Sequence, residues 1–169
     1  MKSSEWLSNI FSIAYYLMIF GWIILLGFLL YAVFINPCDI LKILRDAEEF
    51  KIASGNALYT TLTYELLSGG FWIYIFLLFK NLMKNLLAGQ LFTRFQIASF
   101  RLIGQLIIYI TIIDALAYFI FRIIFQGRLR ISADLFDFWF VIGIGLFSIF
   151  LSSIFNNAKI LKEENELTV

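Results

Sequence analysis

The uncharged run from residue 10 to residue 35, IFSIAYYLMIFGWIILLGFLLYAVFI, constrains this chain more than any other feature. About 20 residues at 1.5 Å each already cross a hydrocarbon layer about 30 Å thick. A stretch this long has no aqueous fold that would hide it. It exceeds the roughly 7 to 15 apolar residues of a secretory signal and ends at Asn36-Pro37 rather than at a small-residue cleavage pattern, so it is expected to be kept as an anchor.

Three more runs of crossing length follow: residues 58–79, 102–121 and 135–155, the last with Trp139 near one end, where aromatic side chains favour the interface. With 62% hydrophobic and 15% charged residues, the chain lies far outside the range of soluble domains. The expectation is an all-α polytopic membrane protein, one domain over residues 1–169, with four transmembrane helices forming a four-helix bundle. Both termini then lie on the same side of the membrane.

Orientation follows from the Lys and Arg of short loops. Lys2, Lys80, Lys84, Arg94, Arg101, Lys159 and Lys162 lie on one side; Lys42, Arg45, Lys51, Arg122, Arg128 and Arg130 lie on the other. The totals nearly balance, but the loop between spans two and three holds four cations and no acid. That loop, 80–101, and the tail, 156–169, are therefore placed in the cytoplasm.

Between spans one and two, Ile40, Leu41, Ile43, Leu44, Ala47 and Phe50 recur at helical spacing, with Lys42, Arg45, Asp46, Glu48 and Glu49 mostly off that face. This predicts an extracytoplasmic amphipathic helix over 39–52, started by Asp39 and ended by Ser54-Gly55-Asn56. It would serve as a lid or docking surface, or as a connector lying on the bilayer. In the inner loop nothing breaks the second helix before Gly89, a C-cap signal, so that helix is expected to protrude past the membrane. Thr93-Arg-Phe-Gln96 has the form of a capping box for the third helix.

Two acids stand deep inside the apolar runs, away from their ends. An ionised side chain near mid-membrane costs a few kcal/mol or more, so Glu65 and Asp114 ask for a reason. At 1.5 Å per residue they lie about 22 Å from Lys80 and about 20 Å from Arg101, a shared depth on two helices joined by a short hairpin. Desolvation and a like-charged neighbour both favour the protonated form of a carboxyl, which would make such a pair sensitive to pH or cations. The plainer reading bonds Asp114 to Tyr118, one turn on, or to a facing helix, and leaves Glu65 near the outer interface. Gly104, Thr111 and Ala115 on the third span, and Gly145, Ser148 and Ser152 on the fourth, form small-residue stripes suited to packing within the bundle or to a homodimer.

Chemistry is sparse. Histidine is absent, Cys38 is the single cysteine, and there is no Walker loop, GxGxxG, GxSxG or CxxC. No enzyme, cofactor, metal site or direct nucleic-acid binding is expected. The four inner-loop cations and Lys159 and Lys162 are candidates for docking anionic lipid headgroups or an acidic protein surface.

The chain end, IFNNAKILKEENELTV over 154–169, together with NLLAGQLFT over 85–93, resembles two recurrent stretches of a bacterial membrane family, domain of unknown function 2975 (DUF2975). Leu91 and Gln96 stand where that family often has proline and asparagine. The resemblance implies four helices in a bacterial plasma membrane and no established activity. It also implies a gene beside that of a small helix-turn-helix transcription regulator, hence a membrane-bound sensor or sequestering partner of such a regulator. The rival expectation is a small transporter, channel or peptide-immunity protein using Glu65 and Asp114.

Overall fold

A computed structural model describes residues 2–34, 55–88, 92–126 and 135–167. These contain four α-helices: α1 (Lys2–Phe34), α2 (Gly55–Leu87), α3 (Arg94–Gln126) and α4 (Leu135–Leu167). No strand occurs among the described residues. Without water to bond free N–H and C=O groups, a spanning segment must satisfy them internally, which makes β-branched runs such as Ile107-Ile108 helical despite their modest propensity. The amphipathic helix expected over 39–52 and the cap at Gly89 lie outside the described residues.

Each helix has 33 residues, about 50 Å of length where about 30 Å suffices to cross. The surplus lies where the sequence predicts it for α2, which runs unbroken past Lys80. It also lies where the sequence left the shape open, because α4 continues through the tail to Leu167. Residues 158–164 contain Ala, Lys, Leu and Glu, all strong helix formers, and Lys159 pairs with Glu163 at 3.4 Å one turn on. One expectation fails locally: Gly55 and Asn56 do not form a turn but open α2. The first turn of a helix has unsatisfied N–H groups in any case, so glycine and asparagine cost little there.

The helices pack antiparallel in chain order, α1 on α2, α2 on α3 and α3 on α4, with no other close backbone approach among the described residues. Phe11 stacks on Phe79 at 5.2 Å near one end of the α1–α2 pair, and the Tyr59 hydroxyl donates to the Ala32 carbonyl at 2.9 Å near the other. The main core lies where Ile75 and Leu82 of α2 meet Phe100, Ile103, Ile107 and Ile110 of α3, with Leu151 and Phe155 of α4 packed against it. Outward, large apolar side chains such as Phe20, Phe71, Leu116 and Phe147 are exposed, as expected of surfaces whose solvent is lipid.

α3 and α4 approach through glycine. A Cβ on Gly104 would meet the Gly145 carbonyl oxygen at 2.5 Å and the Ile149 amide nitrogen at 3.0 Å, and one on Gly145 would meet the Gly104 carbonyl oxygen at 3.0 Å. Lipid gives apolar helices no hydrophobic reason to associate, so this close fit is the attraction itself. Ser148 and Ser152 line the same buried seam, and the Ser152 hydroxyl donates to the Ile97 carbonyl at 2.8 Å. These small residues therefore pack within one chain. Ala115, expected beside Gly104, is instead exposed.

The capping box forms as expected. The Gln96 amide donates to Thr93 Oγ1 and the Thr93 amide donates to Gln96 Oε1, each at 3.2 Å, with Gln96 fully buried. Immediately before it, Phe92 has φ 61°, a left-handed conformation that costs an L-residue about 1–2 kcal/mol. Its ring lies 5.3 Å from that of Phe155, which also packs on Phe100 at 5.1 Å. That aromatic contact offsets the strain and fixes the entry into α3.

Replacing Gly104 with valine should separate α3 from α4 and cost about 1–3 kcal/mol. Heating the purified protein in mild detergent and following the loss of the monodisperse peak should show it melting several degrees early. Gly143→Ala, where an added Cβ meets nothing within 4 Å, should melt with the wild type.

Candidate intramembrane carboxyl site

Tyr64, Glu65 and Ser68 share one stretch of α2; Asp114 and Tyr118 are one turn apart on α3. Antiparallel packing brings the two stretches level, and the bonds cross reciprocally. The Tyr64 hydroxyl donates to Asp114 Oδ1, joined there by the Ser68 hydroxyl at 2.9 Å, while the Tyr118 hydroxyl donates to Glu65 Oε1. The rings of Tyr64 and Tyr118 meet edge to face, with centroids 6.2 Å apart, and Phe121 closes on Tyr64 at 5.4 Å.

The two acids that the sequence singled out are thus brought together. The bonding of Asp114 to a facing helix holds, but its partner is not Tyr118, one turn along its own helix. Tyr118 reaches across to Glu65 instead, so Glu65 is part of the same cluster. Tyr64 and Ser68 were missed. A signal was present: they lie four residues apart, on one helical face, in the turn that carries Glu65.

Neither acid is fully buried, and Tyr118 is 38% exposed, so the cluster opens toward the lipid-facing surface of the α2–α3 seam. No group of three or more Asp, Glu, Cys or His side chains suited to a metal forms among the described residues. On the other flank of α2, the Trp22 indole of α1 donates to the Leu66 carbonyl at 2.8 Å, and Gly69 leaves room for that ring, since a Cβ there would stand 3.1 Å from Trp22 Cδ1. α1 is therefore fastened one residue away from Glu65. Gly104, by contrast, faces α4 while Asp114 faces α2, so the glycine seam and the carboxyl cluster occupy different sides of α3.

The cations expected to dock a partner divide in the structure. Lys80 is drawn back onto α1: its ammonium sits 4.7 Å and 4.4 Å from the centroids of Tyr15 and Tyr16 and donates to the Tyr16 hydroxyl at 3.2 Å. Lys159 is paired with Glu163. Lys84, Arg94, Arg101 and Lys162 are exposed.

Four apolar helices of membrane length, antiparallel and packed through small residues and intramembrane hydrogen bonds, define a multi-pass, all-α membrane protein. The chain belongs to the family described as protein of unknown function (DUF2975), which matches residues 45–169. The matched stretch contains α2, α3, α4, both carboxyls and their hydroxyl partners; α1 precedes it. Within it, the two stretches that carried the resemblance touch through Phe92 and Phe155. No curated protein and no solved structure matches the chain.

Removing either tyrosine hydroxyl should loosen the α2–α3 seam. A double-mutant cycle of Tyr64→Phe with Asp114→Asn, read as detergent thermal or denaturant stability, should give a coupling of about 0.6 kcal/mol and no more than about 1.7. Tyr118→Phe with Glu65→Gln should behave likewise. Tyr118→Phe with Ser152→Ala should be nearly additive, because Ser152 bonds the Ile97 carbonyl on the other seam and shares no partner with the cluster.

Proposed function

We propose that this is a non-enzymatic protein of the bacterial plasma membrane, with cytoplasmic termini, that holds a small helix-turn-helix transcription regulator at the membrane. The observation that carries the reading is the end of α4. Phe155 packs against Phe100, level with the charge boundary at Arg101, and the helix then continues to Leu167, about 18 Å further. This exceeds a headgroup layer of roughly 5–8 Å. Ile160 and Leu161 are exposed on that extension beside Lys162, Glu163 and Glu164. A short helix with two bare apolar residues among charges suits a helix-to-helix contact with a small protein.

The carboxyl cluster supplies the element that such a capture site would need for control. It joins α2 to α3 by hydrogen bonds, and α3 in turn positions α4. A change at the cluster would shift the tail relative to the membrane. The regulator is identified only by the genetic neighbourhood that the family resemblance implies, and the protein itself needs no contact with DNA.

Co-expression of the full-length protein with the neighbouring regulator, followed by purification in mild detergent, tests this reading. The regulator should co-purify and should lose operator binding in the complex. Ile160→Asp with Leu161→Asp should cut its recovery at least tenfold, while the membrane protein remains monodisperse. Failure of the regulator to co-purify would sink the proposal.

A second reading rests on the placement of Glu65 and Asp114 in the apolar layer: a small transporter, channel or peptide-immunity protein that uses them along a path between helices. It predicts ion- or proton-dependent flux in reconstituted vesicles that Glu65→Gln with Asp114→Asn abolishes. Under the capture reading the vesicles show no such flux.

A further inference from the structure

We infer that Arg94 and Arg101 of α3 form a site for the phosphate headgroups of anionic phospholipid in the leaflet on the side of the chain termini. The site is independent of any captured regulator.

The argument starts from the outward face of α3. Residues seven apart lie within about 20° of one another around a helix. Phe95, Leu102, Tyr109, Leu116 and Ile123 follow that spacing, and all five are exposed. In a membrane protein this stripe faces lipid for the length of the crossing. The exposed face is wide enough to include the neighbouring row: Arg94 and Arg101 stand five whole turns before Ile112 and Phe119 on the same line along the helix, and these four residues and Ala98 are all exposed. The face presented to acyl chains therefore runs, without changing direction, into two guanidinium groups. What covers the apolar part of the stripe covers its charged end too, namely the lipid leaflet.

The heights agree. No acid occurs between Lys80 and Arg101, and the apolar run of α3 begins at Leu102, so Arg101 marks the hydrocarbon edge. Arg94 lies about 10 Å further out, and long side chains bring both guanidinium groups to the headgroup layer. Leu102 beside Arg101 suits the boundary between headgroup and acyl chain, which a docking surface for a soluble acidic protein would not require. Neither arginine has an ion-pair or hydrogen-bond partner among the described residues. The guanidinium fork matches phosphate oxygens. Two other cations of this end are engaged within the chain, Lys80 over its two tyrosines and Lys159 on Glu163.

Native mass spectrometry of the full-length protein in mild detergent, with added phosphatidylglycerol or phosphatidylcholine of matched chains, reads the site directly. The wild type should retain phosphatidylglycerol in preference, and each neutralised arginine should reduce that preference roughly fivefold. Arg94→Gln with Arg101→Gln should then bind the two lipids about equally, whereas Arg94→Lys with Arg101→Lys should keep most of the preference because charge is retained. Lys162→Gln, which removes a cation from the α4 tail, should leave it unchanged. Both arginines are exposed, so the variants should keep the helical content and monodispersity of the wild type, and circular dichroism checks this.

The inference is overturned if the wild type retains both lipids equally, or if the double glutamine variant keeps the wild-type preference. An equal loss on Lys162→Gln would also overturn it, in favour of a diffuse field. So would arginine-dependent binding of soluble polyglutamate with no preference between the lipids, because the face would then belong to an acidic protein.

Discussion

In a bilayer, two apolar helices gain nothing by hiding from water, so a helix must hold its neighbours by close backbone approach or by hydrogen bonds. α3 uses one device on each side. Toward α4 it offers Gly104 against Gly145, where no side-chain atom would fit. Toward α2 it offers Asp114 and Tyr118, bonded to Tyr64, Ser68 and Glu65. The remaining contacts, including the core from Ile75 to Ile110, fill space around an arrangement that these two seams set.

The same constraint explains how α1 is held. It lies outside the stretch matched by the family and packs only on α2 among the described helices. Beside an aliphatic patch where Leu25, Leu29 and Ala32 meet Leu58 and Leu62, its attachments are again polar or aromatic: the Trp22 indole on the Leu66 carbonyl, Tyr59 on the Ala32 carbonyl, and Lys80 over Tyr15 and Tyr16. In water these would be minor contacts. In lipid they are among the few interactions that distinguish a packed helix from one adrift beside the others.

The functional reading joins these seams to the two ends of the molecule. The carboxyl cluster lies far from the cytoplasmic side proposed for the termini, yet α3 runs as one helix from Asp114 back to the capping box at Thr93 and Gln96. There Phe92 and Phe100 grip Phe155 at the root of the α4 extension. A continuous helix with fixed partners at both ends is the mechanical link that the proposed control would use. On its outer face, Arg94 and Arg101 would keep that link at a constant height in the leaflet.

Much of this was legible in the chain. Long apolar runs with few charges gave the number of spanning helices because burying a charge in hydrocarbon is costly, and the Thr93–Gln96 spacing announced a cap because it depends only on local geometry. Glu65 and Asp114 drew notice for the same energetic reason, and their common depth followed from helical rise alone. Their partners did not follow. Which side of α3 faces α2 and which faces α4 depends on interlocking side-chain shapes on separate helices, and periodicity in one helix carries no record of its neighbour. Only the tertiary structure could therefore exchange Tyr118 from Asp114 to Glu65, set Gly104 on the opposite seam, and return Lys80 to α1.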